Sequence, residues 1–192
     1  MDTYNIMIVG VGGQGTLLTS RVLGGLAEAA GYDVKLSEIH GMAQRGGSVV
    51  TFVRFGETIA VPVIEPGEAD LLIAFEQLEA LRYAHYLKPG GLIVMNNERI
   101  DPAPVAMGRA SYPTEQVGEL IRTHRVVHFD ARSEAEKLGN LKVFNIVVLG
   151  AASRILPFSE DEWLTIIAEK VPPRTIDVNE QAFAAGRSLN PA

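Results

Sequence analysis

An apolar run, Tyr4 to Val9, opens directly into Gly10-Val11-Gly12-Gly13-Gln14-Gly15, and a stretch follows whose apolar residues recur at Leu18, Val22, Leu26 and Ala29 before Gly31. A buried run, a glycine cluster and helical spacing in that order describe a strand, a tight turn and a helix (Thr16 to Ala30) with glycine just past its end. Asp33 to Glu38 reads as a second strand. Parallel neighbours need a crossover, so residues 4 to 38 are expected to form one βαβ unit with a right-handed connection. Gly24-Gly25 inside the helix costs about 1 kcal/mol each against alanine, and close helix–sheet packing is the expected reason.

The remainder continues the alternation with one interruption. Val49 to Phe55 and Thr58 to Val63 are β-branched runs separated by Gly56-Glu57, which predicts a hairpin and so a mixed sheet. Strand Asp70 to Phe75, helix Gln77 to Tyr86, turn Lys88 to Gly91 and strand Leu92 to Met95 restore the α/β order. Asp101 to Pro113 is proline-rich and irregular, a helix starts at Thr114, and Arg125 to Phe129 is a short strand. Val143 to Leu156 is apolar at almost every position, which predicts a helix covered on all sides, with a strand as the alternative for its first half. Ser159 to Glu162 form a capping box, with Phe158 and Trp163 spaced as a hydrophobic staple. A last helix, capped by Asp177 with Glu180, carries Val178, Ala182 and Phe183 on one side. The expected fold is a Rossmann-like three-layer α/β domain spanning 1–192, with a mixed, mostly parallel sheet and a helical C-terminal part.

Composition removes whole classes of chemistry. A chain of 192 residues buries roughly 70% of its unfolded surface and needs no covalent staple. With no cysteine it has no disulfide, no thiolate zinc site and no ordinary iron–sulfur ligation. A net charge of −6 and a pI near 5.2 oppose nonspecific nucleic-acid binding, which neutralises phosphates with lysine and arginine. No apolar run reaches the 18 or so residues of a membrane span, and the N-terminus lacks a basic, cleavable leader, so a cytoplasmic protein is expected. No paired-histidine metal motif and no nucleophile elbow occur.

Two loops carry the candidate chemistry. Gly10, Gly12, Gly13, Gln14 and Gly15 match G-x-G-x-x-G in strand-to-helix context, where backbone N–H groups and a helix N-terminus suit a phosphate or carboxylate. The same glycines are equally explained by a tight turn, and Gln14 by a bond to its own loop. Glu38 stands where a dinucleotide site places its ribose-binding acid. However, the chain does not then turn directly into a helix. His40-Gly41-Met42-Ala43-Gln44-Arg45-Gly46-Gly47 is a long glycine-bearing segment. Arg45 offers five donors in a fixed fork for an anion, with Gly46 and Gly47 permitting close approach. His40, Gln44 and Arg45 are the catalytic candidates, although His40 fits a structural hydrogen-bonding role better than that of a base. Met42 fits packing, Glu76 and Glu79 lie near the carboxyl edge of the sheet, and Glu79 is expected to be a solvated helix-start residue.

The glycine loop, Ser37 to Ser48, Gly67-Glu68-Ala69-Asp70, Glu76 with Leu78-Glu79-Ala80, Asn145, and Asn179 with Ala182-Phe183 together resemble the gamma-type subunits of 2-oxoacid:ferredoxin oxidoreductases, those of the indolepyruvate enzymes in particular. The likeness spans nearly the whole chain. It implies a complex that decarboxylates a 2-oxoacid on thiamine diphosphate with Mg, passes electrons through iron–sulfur clusters to ferredoxin and forms an acyl-coenzyme A. It also implies that a larger partner subunit carries the diphosphate and the clusters, that this chain holds no tightly bound cofactor, and that Arg45 and the glycine loop serve coenzyme A. A free-standing dinucleotide-dependent oxidoreductase, an adenylating enzyme and a non-catalytic scaffold remain as alternatives.

Overall fold

A computed structural model describes residues 2–41 and 47–189. In chain order the elements are β1 (Tyr4–Val11), α1 (Thr16–Ala29), β2 (Asp33–His40), β3 (Ser48–Gly56), β4 (Ala69–Ala74), α2 (Gln77–Tyr83), β5 (Leu87–Asn96), α3 (Ala103–Ala106), α4 (Thr114–Thr123), β6 (Arg125–Phe129), α5 (Ala131–Lys137), α6 (Phe144–Ala152), α7 (Glu160–Lys170) and α8 (Ile176–Ser188). The strands form one sheet ordered β2-β3-β1-β4-β5-β6, with β1, β4, β5 and β6 parallel and β3 antiparallel to both β1 and β2.

The mixed three-layer sheet is as expected, but its first unit is not. β2 does not lie beside β1, because β3 inserts between them, pairing Val9 with Val50 on one side and Ile39 with Val50 on the other. The hairpin therefore joins β2 to β3, and Thr58 to Val63 forms no strand. Arg54 instead holds that segment by donating to the carbonyls of Val61 and Val63. Lys88 to Gly91 belongs to the start of β5, where the β4 register shifts.

Alternation along the strands divides the core. Ile6, Ile8, Val53, Phe55 and Ile73 face α1, α6, α7 and α8, whereas Met7, Val9, Phe52, Leu72 and Ile93 face α2 and α4. All nine residues of α6 are buried, as its unbroken apolar sequence requires. Trp163 packs edge-on to Phe158 at 6.0 Å between centroids, and the Ser159–Glu162 capping box forms. Gly24 and Gly25 divide their work, since a Cβ would press on Leu36 of β2 at the first and on Lys170 and Ile166 of α7 at the second. α8 starts after Thr175 without a side-chain cap, so Asp177 lies in its first turn rather than capping it. Among the described residues no helix is long and apolar enough to cross a membrane.

Candidate functional site

The glycine loop is built around a buried side chain folded beneath it. At Gly10 a Cβ would lie 2.8 Å from Gln14 Oε1, so glycine is what lets the Gln14 amide fold back under the loop. There its oxygen accepts the Val11 N–H at 2.7 Å, and its nitrogen donates to the Phe75 carbonyl at 3.3 Å and to Glu98 Oε2 at 3.1 Å. Glu98 also accepts from Asn96 Nδ2 at 3.3 Å and Arg132 at 2.9 Å, and its carbonyl accepts the Gln77 N–H. Asn96, fully buried, accepts the Ala131 N–H at 2.9 Å. Four elements are thus tied together at the carboxyl edge by a hydrogen-bonded network. Gln14 bonds its own loop, and Gly10 serves Gln14.

The front of the loop is open. Gly13 has φ +100° with nothing within 4 Å of a Cβ, and Gly15, at φ +88°, is the N-cap of α1. A Cβ on Gly15 would meet Asn145 Nδ2 at 2.5 Å. Asn145 lies buried beneath the turn, and its Oδ1 finds no donor among the described residues. The first turn of α1 holds no acidic residue, so the positive end of its dipole is uncompensated by its own sequence. Before this turn lies a cleft of about 680 Å³, with Gly12, Gly13, Gly15, Thr16 and Leu17 on one bank and Glu38, His40, Gly41 and Val49 on the other.

The two loops singled out in the sequence meet here. The Gly12 N–H donates to the Gly47 carbonyl at 2.9 Å, and the Gly41 N–H to the Ser48 carbonyl at 3.3 Å. His40 Nε2 lies 3.0 Å from Glu38 Oε1, while Glu38 Oε2 accepts from Thr51 at 3.2 Å. Gly12, Gly13, Gly15 and His40 therefore share the cleft, and Gly47 is tied to Gly12 beside it. Met42, Gln44, Arg45 and Gly46 lie outside the described residues. Glu38 reaches the cleft from a strand two places from β1, about 9–10 Å away instead of the ~4.8 Å of a neighbouring strand. That displacement removes the plain dinucleotide geometry in which the acid follows the adjacent strand.

Two carboxylates at the start of α2, on the face of the sheet opposite α1, were legible only as positions. Glu76 caps α2 through the Glu79 N–H at 3.0 Å and accepts from Tyr112 Oη at 2.7 Å and the Ile100 N–H at 3.1 Å. Burial, then the bond to Glu76 and its charge, raises the Tyr112 pKa, while Arg99 stacks 4.3 Å above the ring. Glu79 is 4% exposed, which corrects the expectation of a solvated residue. It takes the Ser48 hydroxyl at 2.5 Å and pairs with Arg82 at 3.4 Å. Burial raises its pKa, with the Glu76 charge adding to the effect and Ser48 and Arg82 opposing it. Among the described residues no group of three or more His, Asp or Glu is placed to hold a metal ion.

Comparison with known proteins matches residues 5–189 to the family described as pyruvate ferredoxin/flavodoxin oxidoreductase. The chain is 44% identical to indolepyruvate oxidoreductase subunit IorB of Thermococcus kodakarensis over 97% of its own length and 95% of that protein. In fold it resembles the gamma subunit of a keto/oxoacid ferredoxin oxidoreductase from Geobacter sulfurreducens, with a TM-score of 0.71, 23% identity and 95% of each chain covered. All of it also superposes on 32% of the 2-oxoglutarate:ferredoxin oxidoreductase of Magnetococcus marinus, solved with 2-oxoglutarate, coenzyme A and succinyl-CoA bound, at a TM-score of 0.75 and 19% identity.

Proposed function

The chain belongs to the pyruvate ferredoxin/flavodoxin oxidoreductase family as a subunit of a 2-oxoacid oxidoreductase, and on that premise we propose that it is the small subunit of an enzyme acting on indolepyruvate or another aryl pyruvate. The observation that carries this reading is the end-to-end match at 44% identity to an indolepyruvate oxidoreductase subunit. The complex would oxidise and decarboxylate the 2-oxoacid, form its coenzyme A thioester and reduce ferredoxin in the cytoplasm.

Thiamine diphosphate, Mg and iron–sulfur clusters would supply the carbanion and electron-transfer chemistry from a larger subunit. This chain has no cysteine to ligate a cluster, and its described residues include no acidic or histidine cluster for a metal. Its own contribution is the cleft. Gly12, Gly13 and the N-terminus of α1 offer a phosphate a concave backbone surface, and Arg45 would add a forked cation. Glu38, the carboxylate lining the cleft, is already engaged by His40 and Thr51, which moderates its repulsion of an anion. Coenzyme A is the ligand this arrangement suits, with His40 and Gln44 orienting its polar groups.

Two measurements test the proposal. Purification of the native protein should bring with it a larger subunit containing thiamine diphosphate and iron–sulfur clusters. In that complex Arg45→Ala should raise KM for coenzyme A by tenfold or more, the scale of a lost charge-assisted hydrogen bond. Normal assembly with unchanged kinetics would leave the chain a scaffold.

A further inference from the structure

The two outer strands of the sheet are protected differently. β2 carries Asp33, Lys35, Ser37, Glu38 and His40 along its length, and Asp33 accepts the Ile59 N–H at 2.8 Å, so charges and a crossing loop guard that edge. Among the described residues β6 has no comparable cover along the cavity of about 520 Å³ beside it, on the side of the molecule away from the glycine loop.

The backbone of β6 determines what this cavity presents. The Phe129 carbonyl accepts the Asn97 N–H at 2.8 Å, and the parallel register sets Asn96 opposite Phe129. Backbone groups alternate along a strand, so Arg125, Val127 and Phe129 turn theirs toward β5. Val126, which lines the cavity, and His128, farther along the strand and outside that lining, then direct their N–H and C=O groups outward, away from the sheet. The banks on either side are apolar, with Ile121 and Val126 toward α4 and Val127, Ala151 and Ile155 toward α6. An added strand would place successive side chains on alternate banks.

Charge identifies the kind of strand. Arg125 and Arg154 both line the cavity. Their hydrogen bonds run to backbone carbonyls, of Gly90 for the first and of Arg187 and Leu189 for the second. Neither has a carboxylate partner among the described residues, in a chain whose net charge is −6. Unpaired backbone, two-sided apolar banks and uncompensated guanidinium groups together define a site for strand addition.

We propose that the outer edge of β6 is a docking groove for an extended, acidic segment of the larger subunit, which pairs with Val126 and His128 and sets carboxylates against Arg125 and Arg154. This rests on the reading of the chain as one subunit of a larger enzyme. Residue-resolved hydrogen exchange on the chain alone and on the assembled complex tests it. The Val126 and His128 amides should exchange about tenfold or more slowly in the complex, while that of Val127, which faces β5, serves as the internal reference. Arg154→Glu should weaken assembly by tenfold or more, more so at low salt. Val126→Pro should do the same, because it removes an outward N–H and leaves the β5 ladder intact; if that variant fails to fold, exchange on the unaltered chain still decides. An assembled complex in which both amides exchange as in the free chain overturns the proposal. So does protection that grows with concentration of this chain alone, which would make the occupant a second copy. Failure to find any larger partner would instead remove the premise that the chain is a subunit.

Discussion

Glycine does opposite work in two regions of this molecule. At the crossing of α6 and α8, a Cβ on Gly186 would land on the Val147 carbonyl and one on Gly150 on the Phe183 carbonyl, so the two backbones meet with no side chain between them. In the loop after β1, Gly13 has only open space where a Cβ would go. Glycine in the first place fills the interior by absence, and in the second it keeps a surface vacant beside a helix N-terminus. The contrast separates a part of the protein where two backbones are packed in contact from a part where the backbone faces open space.

Substitution at the packed end should have the largest effect. Gly186→Ala forces the helices apart across a core of dense side chains, and a loss of about 3 kcal/mol in urea unfolding is expected. A loss below about 1 kcal/mol would mean that the helices slide easily and that the contact is not the constraint it looks. Gly15 lies between the two regions, with φ +88° and Asn145 Nδ2 2.5 Å from a Cβ. Gly15→Ala should cost about 2 kcal/mol through backbone strain and displacement of Asn145. Gly13→Ala has only the backbone cost, about 1 kcal/mol. In the assembled enzyme, however, it should raise KM for coenzyme A by more than its small effect on stability would suggest. If Gly13→Ala leaves KM untouched, the vacancy has no occupant and the loop is simply a turn.

The packed region was the more legible in sequence. The unbroken apolar run at Val143 to Leu156 and the capping box at Ser159 follow from composition and spacing over a few residues, and α6 and α7 lie where those signals place them. The insertion of β3 between β1 and β2 leaves no local trace, because strand order depends on contacts distant in sequence. The expected strand at Thr58 to Val63 had the right residue types but no free partner once β2 occupied the outer side of β3. α5 escaped notice as seven mostly polar residues, although Asp130 with Ser133 three places on was a usable capping signal. At the site, the glycines and His40 could be named, while Glu98 and Asn96, which brace the loop from behind, carried no local signal and were not singled out. Their importance arises only when β1 and β5 bring Gln14 to them.

The smallest effect expected is also the one that assigns a sign to the polar region. Glu79 is buried where α2 meets the first residue of β3, and burial raises its pKa above the ordinary carboxylate range. The unfolded chain therefore releases this proton at lower pH than the folded one. Its contribution to stability is fully present below about pH 4.3, the unfolded value, and is lost as pH rises through the raised folded value. Asp130 behaves oppositely, since its bonds to Ser133 lower its pKa, and its contribution is lost as pH falls. Glu79→Gln keeps an acceptor for Ser48 but removes the charge. Compared with the unaltered chain, its urea-unfolding free energy should rise more steeply from pH 4 to 7, with the difference growing as Glu79 ionises. The Gly186 region, far from any such carboxylate, should contribute nothing to this difference, so the same pH increment should appear with or without Gly186→Ala. Parallel pH profiles for the Glu79→Gln and unaltered chains would show that the Ser48 and Arg82 contacts fully offset burial, leaving the start of α2 as electrostatically neutral as the helix crossing.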